Sequence, residues 1–140
     1  MTLAFTQSVT LSAPPLAAWQ ALLEPAKVEK YHLAQLKEVD LREGGRICYG
    51  TAEEDMIMGK IVRVEPGRRL EHTFRFLPGP MGTGEDLETL VSYVLEATDA
   101  GTLLTLTHSG FPCENQTFAN ISGGWPCILE NLQAYLERER

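Results

Sequence analysis

Lysine and arginine are in short supply. Twelve of them stand against nineteen aspartates and glutamates, a formal net charge of -7 over 140 residues. The average field of such a chain repels phosphate backbones and anionic lipid headgroups, so neither nucleic acid nor a membrane surface is an expected partner. Long apolar runs are missing too: nowhere do eighteen apolar residues follow one another, and the opening MTLAFTQSVTLSAPP has no basic segment leading an apolar one. Neither a spanning helix nor a secretory leader is expected, and the expected setting is the cytoplasm. Cysteine is scarce and odd in number, and Cys48, Cys113 and Cys127 form no C-x-x-C pair. That excludes a disulfide framework and a zinc knuckle and leaves three reduced packing residues. The sequons at Asn115 and Asn120 then have no glycosylating compartment to act in.

Motifs of catalysis are equally thin. There is no G-x-S-x-G, no H-E-x-x-H and no cysteine placed beside a histidine. The stretch Gly79-Pro80-Met81-Gly82-Thr83-Gly84 lacks a following Lys-Ser/Thr and leads into a strand, so it reads as a flap and not as a phosphate cradle. Its acidic end, Glu85-Asp86, favours neither phosphate nor carboxylate ligands. His32, His72 and His108 show no ligand spacing, so neither a metal nor another cofactor is expected.

What is present is ordinary globular composition, 44% hydrophobic and 22% charged, on a chain long enough for one domain over residues 1–140. Residues 3–11 carry Leu3, Phe5, Val9 and Leu11 on one parity, a half-buried strand broken only by Gln7. Ser12 and Pro14-Pro15 then open a helix with the stripe Leu16, Trp19 and Leu23; Pro25 ends it and begins a second short turn to about Tyr31. Strands follow at 36–42, 46–52, 56–65, 69–77, 87–97 and 102–109, separated by turn residues such as Glu43-Gly44-Gly45, Pro66-Gly67 and Asp99-Ala100-Gly101. The chain turns helical between Asn115 and Ser122, with Trp125, Ile128, Leu129, Leu132 and Leu136 as its apolar stripe. This order predicts an α+β fold: a seven-stranded antiparallel sheet curled round one long helix, with room for a pocket between them.

Several segments, in this order, resemble a known family: Trp19, Asp40-Leu41-Arg42-Glu43-Gly44-Gly45, Gly59-Lys60-Ile61-Val62-Arg63-Val64-Glu65-Pro66 with Leu70, Leu106-Thr107-His108 with Gly110-Phe111, and Gly124-Trp125 with Leu129 and Leu132. The chain is similar to the START-like or SRPBCC superfamily, whose helix-grip fold includes the birch pollen allergen. Within it the likeness is to homologues of the activator of heat-shock protein 90 ATPase. The resemblance implies a shared cavity and little shared chemistry. The family's co-chaperones carry an extra domain ahead of this one; with strand one starting at Leu3, that domain is expected to be absent.

Strand parity points to a ligand-facing set. Leu70, His72, Phe74 and Phe76 alternate with Glu71, Thr73 and Arg75; Leu87, Val91, Tyr93 and Leu95 alternate with Glu88, Ser92 and Glu96. In 102–109 the more apolar parity is Leu104, Leu106 and His108, while 56–65 is ambiguous between Met56, Met58, Val62, Val64 and Ile57, Gly59, Ile61, and a bulge near Gly59 would put parts of both inside. The candidate binding residues are His72, Tyr93, His108 and Trp125, with Met58, Phe74 and Phe76 as wall. The leading expectation is non-catalytic binding of a small hydrophobic molecule. One alternative is a cyclase or dehydratase with His72 or His108 as base and Tyr93 as proton donor. Another is a co-chaperone-like interaction module, and the partners it leaves open are a chaperone and a second copy of the chain. The sequence Ser122-Gly123-Gly124-Trp125-Pro126 is odd inside a helix. Close backbone approach to the sheet or to the short helices would explain the glycines, and for Pro126 either a fresh helix capped by Ser122 or a kink in one long helix fits.

Overall fold

The computed structural model describes residues 3–77 and 88–139. The expected flap at 79–84 with its acidic end, and the inward position expected for Leu87, lie outside the described residues. The strands are β1 (Leu3–Leu11), β2 (Gln35–Val39), β3 (Arg46–Gly50), β4 (Asp55–Glu65), β5 (Arg69–Phe76), β6 (Thr89–Thr98) and β7 (Gly101–Phe111). The helices are α1 (Pro15–Leu23), α2 (Pro25–Val28) and α3 (Gln116–Arg138). All seven strands join one antiparallel sheet in the order β1-β7-β6-β5-β4-β3-β2. The first strand therefore closes against the last, and the sheet's edges are β1 and β2.

Local chemistry sets these boundaries. Pro66 at the second position and Gly67 at the third, with φ +76, make a type II turn closed by Arg68 N donating to Glu65 O at 2.9 Å. Pro15 starts α1, where its missing N–H costs nothing. Of the stripe expected for α1, Trp19 and Leu23 are buried but Leu16 is 61% exposed, and Ala18, Ala21 and Leu22 complete the buried face. Tyr31, just past α2, donates its hydroxyl to Ala21 O at 2.9 Å and so pins the two short helices together.

Along α3 the stripe Ile121, Trp125, Ile128, Leu129, Leu132 and Leu136 is buried, facing the concave side of the sheet. Asn115 caps it, its side chain accepting from Phe118 N at 2.8 Å. Ser122 is not a cap, and Pro126 lies inside one continuous helix. The proline deprives the Ser122 carbonyl of its intrahelical donor. Gln133 Nε2 donates to Thr10 O at 2.9 Å and Ser12 Oγ to Glu137 at 2.5 Å, which fasten the far end of α3 over β1. The near end, around Gly123-Gly124, is not packed tightly: a Cβ on Gly123 would meet nothing, and one on Gly124 only Leu33 Cδ1 at 3.7 Å. Close approach to the sheet or to the short helices therefore does not explain the glycines, and this expectation is corrected. A glycine that does need its missing Cβ is Gly59, where a Cβ would overlap Thr73 O; the β4 bulge itself falls between Ile61 and Arg63.

Candidate functional site

At the loosely packed end of α3 the helix and the sheet enclose a cavity of about 210 Å³. Met56 and Ile57 of β4 and Phe74 and Phe76 of β5 form its floor. Asn120, Ile121, Gly124, Trp125 and Ile128 of α3 form its roof, and His32, Leu33 and Ala34, between α2 and β2, form one side. Its surface is nearly all carbon. Leu33 is 61% exposed, so the mouth lies beside it, and the absent side chain of Gly124 keeps the roof thin there. An engineered apolar cavity of roughly 150 Å³ holds benzene, which sets the scale of a guest here at one substituted ring.

Of the seven residues expected from sequence, Phe74, Phe76 and Trp125 line the cavity. His72, Tyr93 and His108 are buried behind it and Met58 is not part of it. Met58 pairs across the sheet with Cys48 and Arg75, and its Sδ accepts from Arg46 at 3.7 Å. It lies on the opposite face because Ile57 and Ile61, both buried, take the inward parity of β4. The wall position expected for Met58 is thus corrected to Ile57.

Behind the cavity the rings form a closed circuit. His32 stacks on Tyr49 at 5.0 Å, Tyr49 meets His72 at 6.3 Å, His72 meets Tyr93 at 6.0 Å, Tyr93 meets Trp125 at 6.2 Å, and Trp125 returns to His32 at 6.1 Å. Burial pushes the Tyr49 phenol up to about 12 and the Tyr93 phenol well above its usual value. His32 and Tyr49 were not picked out by sequence. Strand parity could have found Tyr49, which shares its side of β3 with Ile47, both buried. His32 comes from a connection, where no period applies.

His108 is fully committed. Thr89 Oγ1 donates to Phe74 O at 2.9 Å, so it can only accept at its other bond, 2.7 Å from His108 Nε2. Nε2 therefore carries the proton, and Nδ1 accepts from Trp125 Nε1 at 3.0 Å. Burial, with repulsion from His72, holds this histidine down to about 3. His72 lies differently: its Nδ1 donates to Thr73 O at 2.7 Å, and its Nε2 has no partner among the described residues. Burial lowers it to about 4, against the carbonyl's opposing effect. His32 is lowered to about 4 by burial and by His72, and its Nδ1 accepts from Ala34 N at 3.0 Å. All three rings are neutral at pH 7. Among the described residues no three His, Cys, Asp or Glu side chains are grouped to hold a metal ion, and no helix is long and apolar enough to cross a membrane.

Comparison with known proteins gives a consistent outcome. Residues 12–137 match the family described as Activator of Hsp90 ATPase homolog 1-like protein. Among solved structures, protein MLL2253 from Mesorhizobium loti is 26% identical over 99% of both chains, with a TM-score of 0.80. CalU16 from Micromonospora echinospora is 25% identical over 99% of this chain and 77% of its own, with a TM-score of 0.71. The Aha1 dimer from Colwellia psychrerythraea, solved in solution, is 18% identical over 96% of both chains with a TM-score of 0.75, and at that identity shares the fold alone. No curated protein matches the chain.

Proposed function

Because the chain belongs to the activator of Hsp90 ATPase homolog 1-like family, whose common ground is a fold round a hollow, we propose that it binds a small, largely apolar molecule between the sheet and α3 without transforming it. The carrying observation is the cavity of about 210 Å³ with its carbon-lined walls and a mouth beside Leu33. Such a space, with few polar groups at its margin, is the usual form of a small-molecule site. The cyclase alternative has less support, since both nitrogens of His108 are held in structural bonds and a base there would have to break one.

A thermal-shift screen with uncharged aromatic and aliphatic compounds tests the proposal. A ligand at a hundred times its Kd adds about 2.7 kcal/mol, which moves the midpoint by several degrees. Gly124→Leu places an isobutyl group in the roof of the cavity, where its Cβ meets only ordinary contact; it should abolish the shift while the protein stays folded. If no compound stabilises the wild type, or the variant responds equally, the cavity is not a binding site.

A further inference from the structure

Two buried side-chain polar atoms lack a hydrogen-bond partner among the described residues, Ser122 Oγ and His72 Nε2. The first belongs to a hydroxyl that can turn toward a carbonyl of its own helix. The second has no such latitude. Its ring is fixed by the 2.7 Å bond to Thr73 O and held between the rings of Tyr49 and Tyr93. A carbonyl only accepts, so Nδ1 carries the proton and Nε2 presents a bare lone pair on a residue that is 1% exposed.

Position adds the second half of the argument. His72 is the next inward residue after Phe74 on β5, about 7 Å along the strand from a wall of the cavity. Trp125, which roofs the cavity, packs on Tyr93, which in turn packs on His72. His72 does not itself line the cavity; resting on the binding reading above, we propose that the inner end of a guest presses past Phe74 and Trp125 and takes His72 Nε2 as its polar anchor. The guest is an uncharged molecule, apolar over most of its length, that carries one hydroxyl or N–H donor at its inner end. An anionic guest would meet a lone pair, and a cationic one would leave water for carbon walls.

Two probes of matched size, para-ethylphenol and para-ethyltoluene, differ by a hydroxyl against a methyl group. In NMR titrations of the wild type, the phenol is expected to move the His72 Nε2 nitrogen resonance toward its hydrogen-bonded position, and the hydrocarbon is not. His72→Phe should lower the phenol's affinity about fivefold to tenfold relative to the hydrocarbon's. If both probes bind, with the resonance unmoved and the affinity ratio unchanged in the variant, the anchor is overturned and the cavity reading stands. If neither binds, that reading falls and takes the anchor with it. A resonance already at the hydrogen-bonded position, and unchanged by the phenol, identifies a resident water as the donor and overturns the proposal. Should His72→Phe not fold, the wild-type resonance decides alone.

Discussion

Trp125 Nε1 donates to His108 Nδ1 across 3.0 Å, joining α3 to β7. With His108 Nε2–H to Thr89 and Thr89 to Phe74 O, it forms an unbroken run of bonds in which each donor and acceptor role is fixed by the next. A second proton on the imidazole would turn the acceptor at Trp125 into a donor and break the run at its first link.

Stability should therefore fall with acid. In the fold, His108 and His72 stay neutral down to about 3 and about 4, whereas the unfolded chain protonates them near 6.5. Between those limits the unfolded state binds more protons, so stability is complete above about pH 6.5 and declines as pH drops toward 4, by about 1.4 kcal/mol per unit for each histidine. Urea midpoints measured from about pH 7.5 to about pH 4.5 check this; a flat profile across that window would show these rings to be hydrated.

Thr89→Val keeps the volume but removes the hydroxyl that serves both Phe74 O and His108 Nε2. Two buried groups are then left unpaired, and a loss of about 2–3 kcal/mol is expected in urea unfolding. Thr89→Ser should recover most of it.

Gly123→Ala should stabilise the protein by up to about 1 kcal/mol, because the position is exposed within α3 and a Cβ there meets nothing. A higher melting temperature checks it. A fall would mean that the helix is bent at this point in a way only glycine allows.

Gly59→Ala should behave oppositely. Its Cβ would overlap the backbone oxygen of Thr73, which cannot move without parting β4 from β5. Circular dichroism is expected to show loss of the folded protein or a large drop in melting temperature, and a variant of wild-type stability would refute the close approach.

Much of this was legible in advance where alternation was clean. In β5 every apolar residue falls on one parity, with His72 the one polar residue among them, and Leu70, His72, Phe74 and Phe76 are all buried. In β4 both parities are apolar, so periodicity could not choose; Ile57 and Ile61 prevailed and put Met58 outside. The cavity's side wall could not be read at all, because His32, Leu33 and Ala34 lie in a connection whose path depends on tertiary packing. The Gly123-Gly124 pair shows a subtler failure: small residues in a helix usually mean a close neighbour, and here one of them leaves room instead.

The position of Trp125 has a practical side. It is one of only two tryptophans, and Trp19, in α1, does not line the cavity. Its indole borders the cavity while its nitrogen is tied to His108, so the chain carries its own optical reporter. Any guest arriving beneath α3 would change the polarity around that fluorophore, whereas Trp19 supplies a steady background, and occupancy could be followed by emission without attaching a dye.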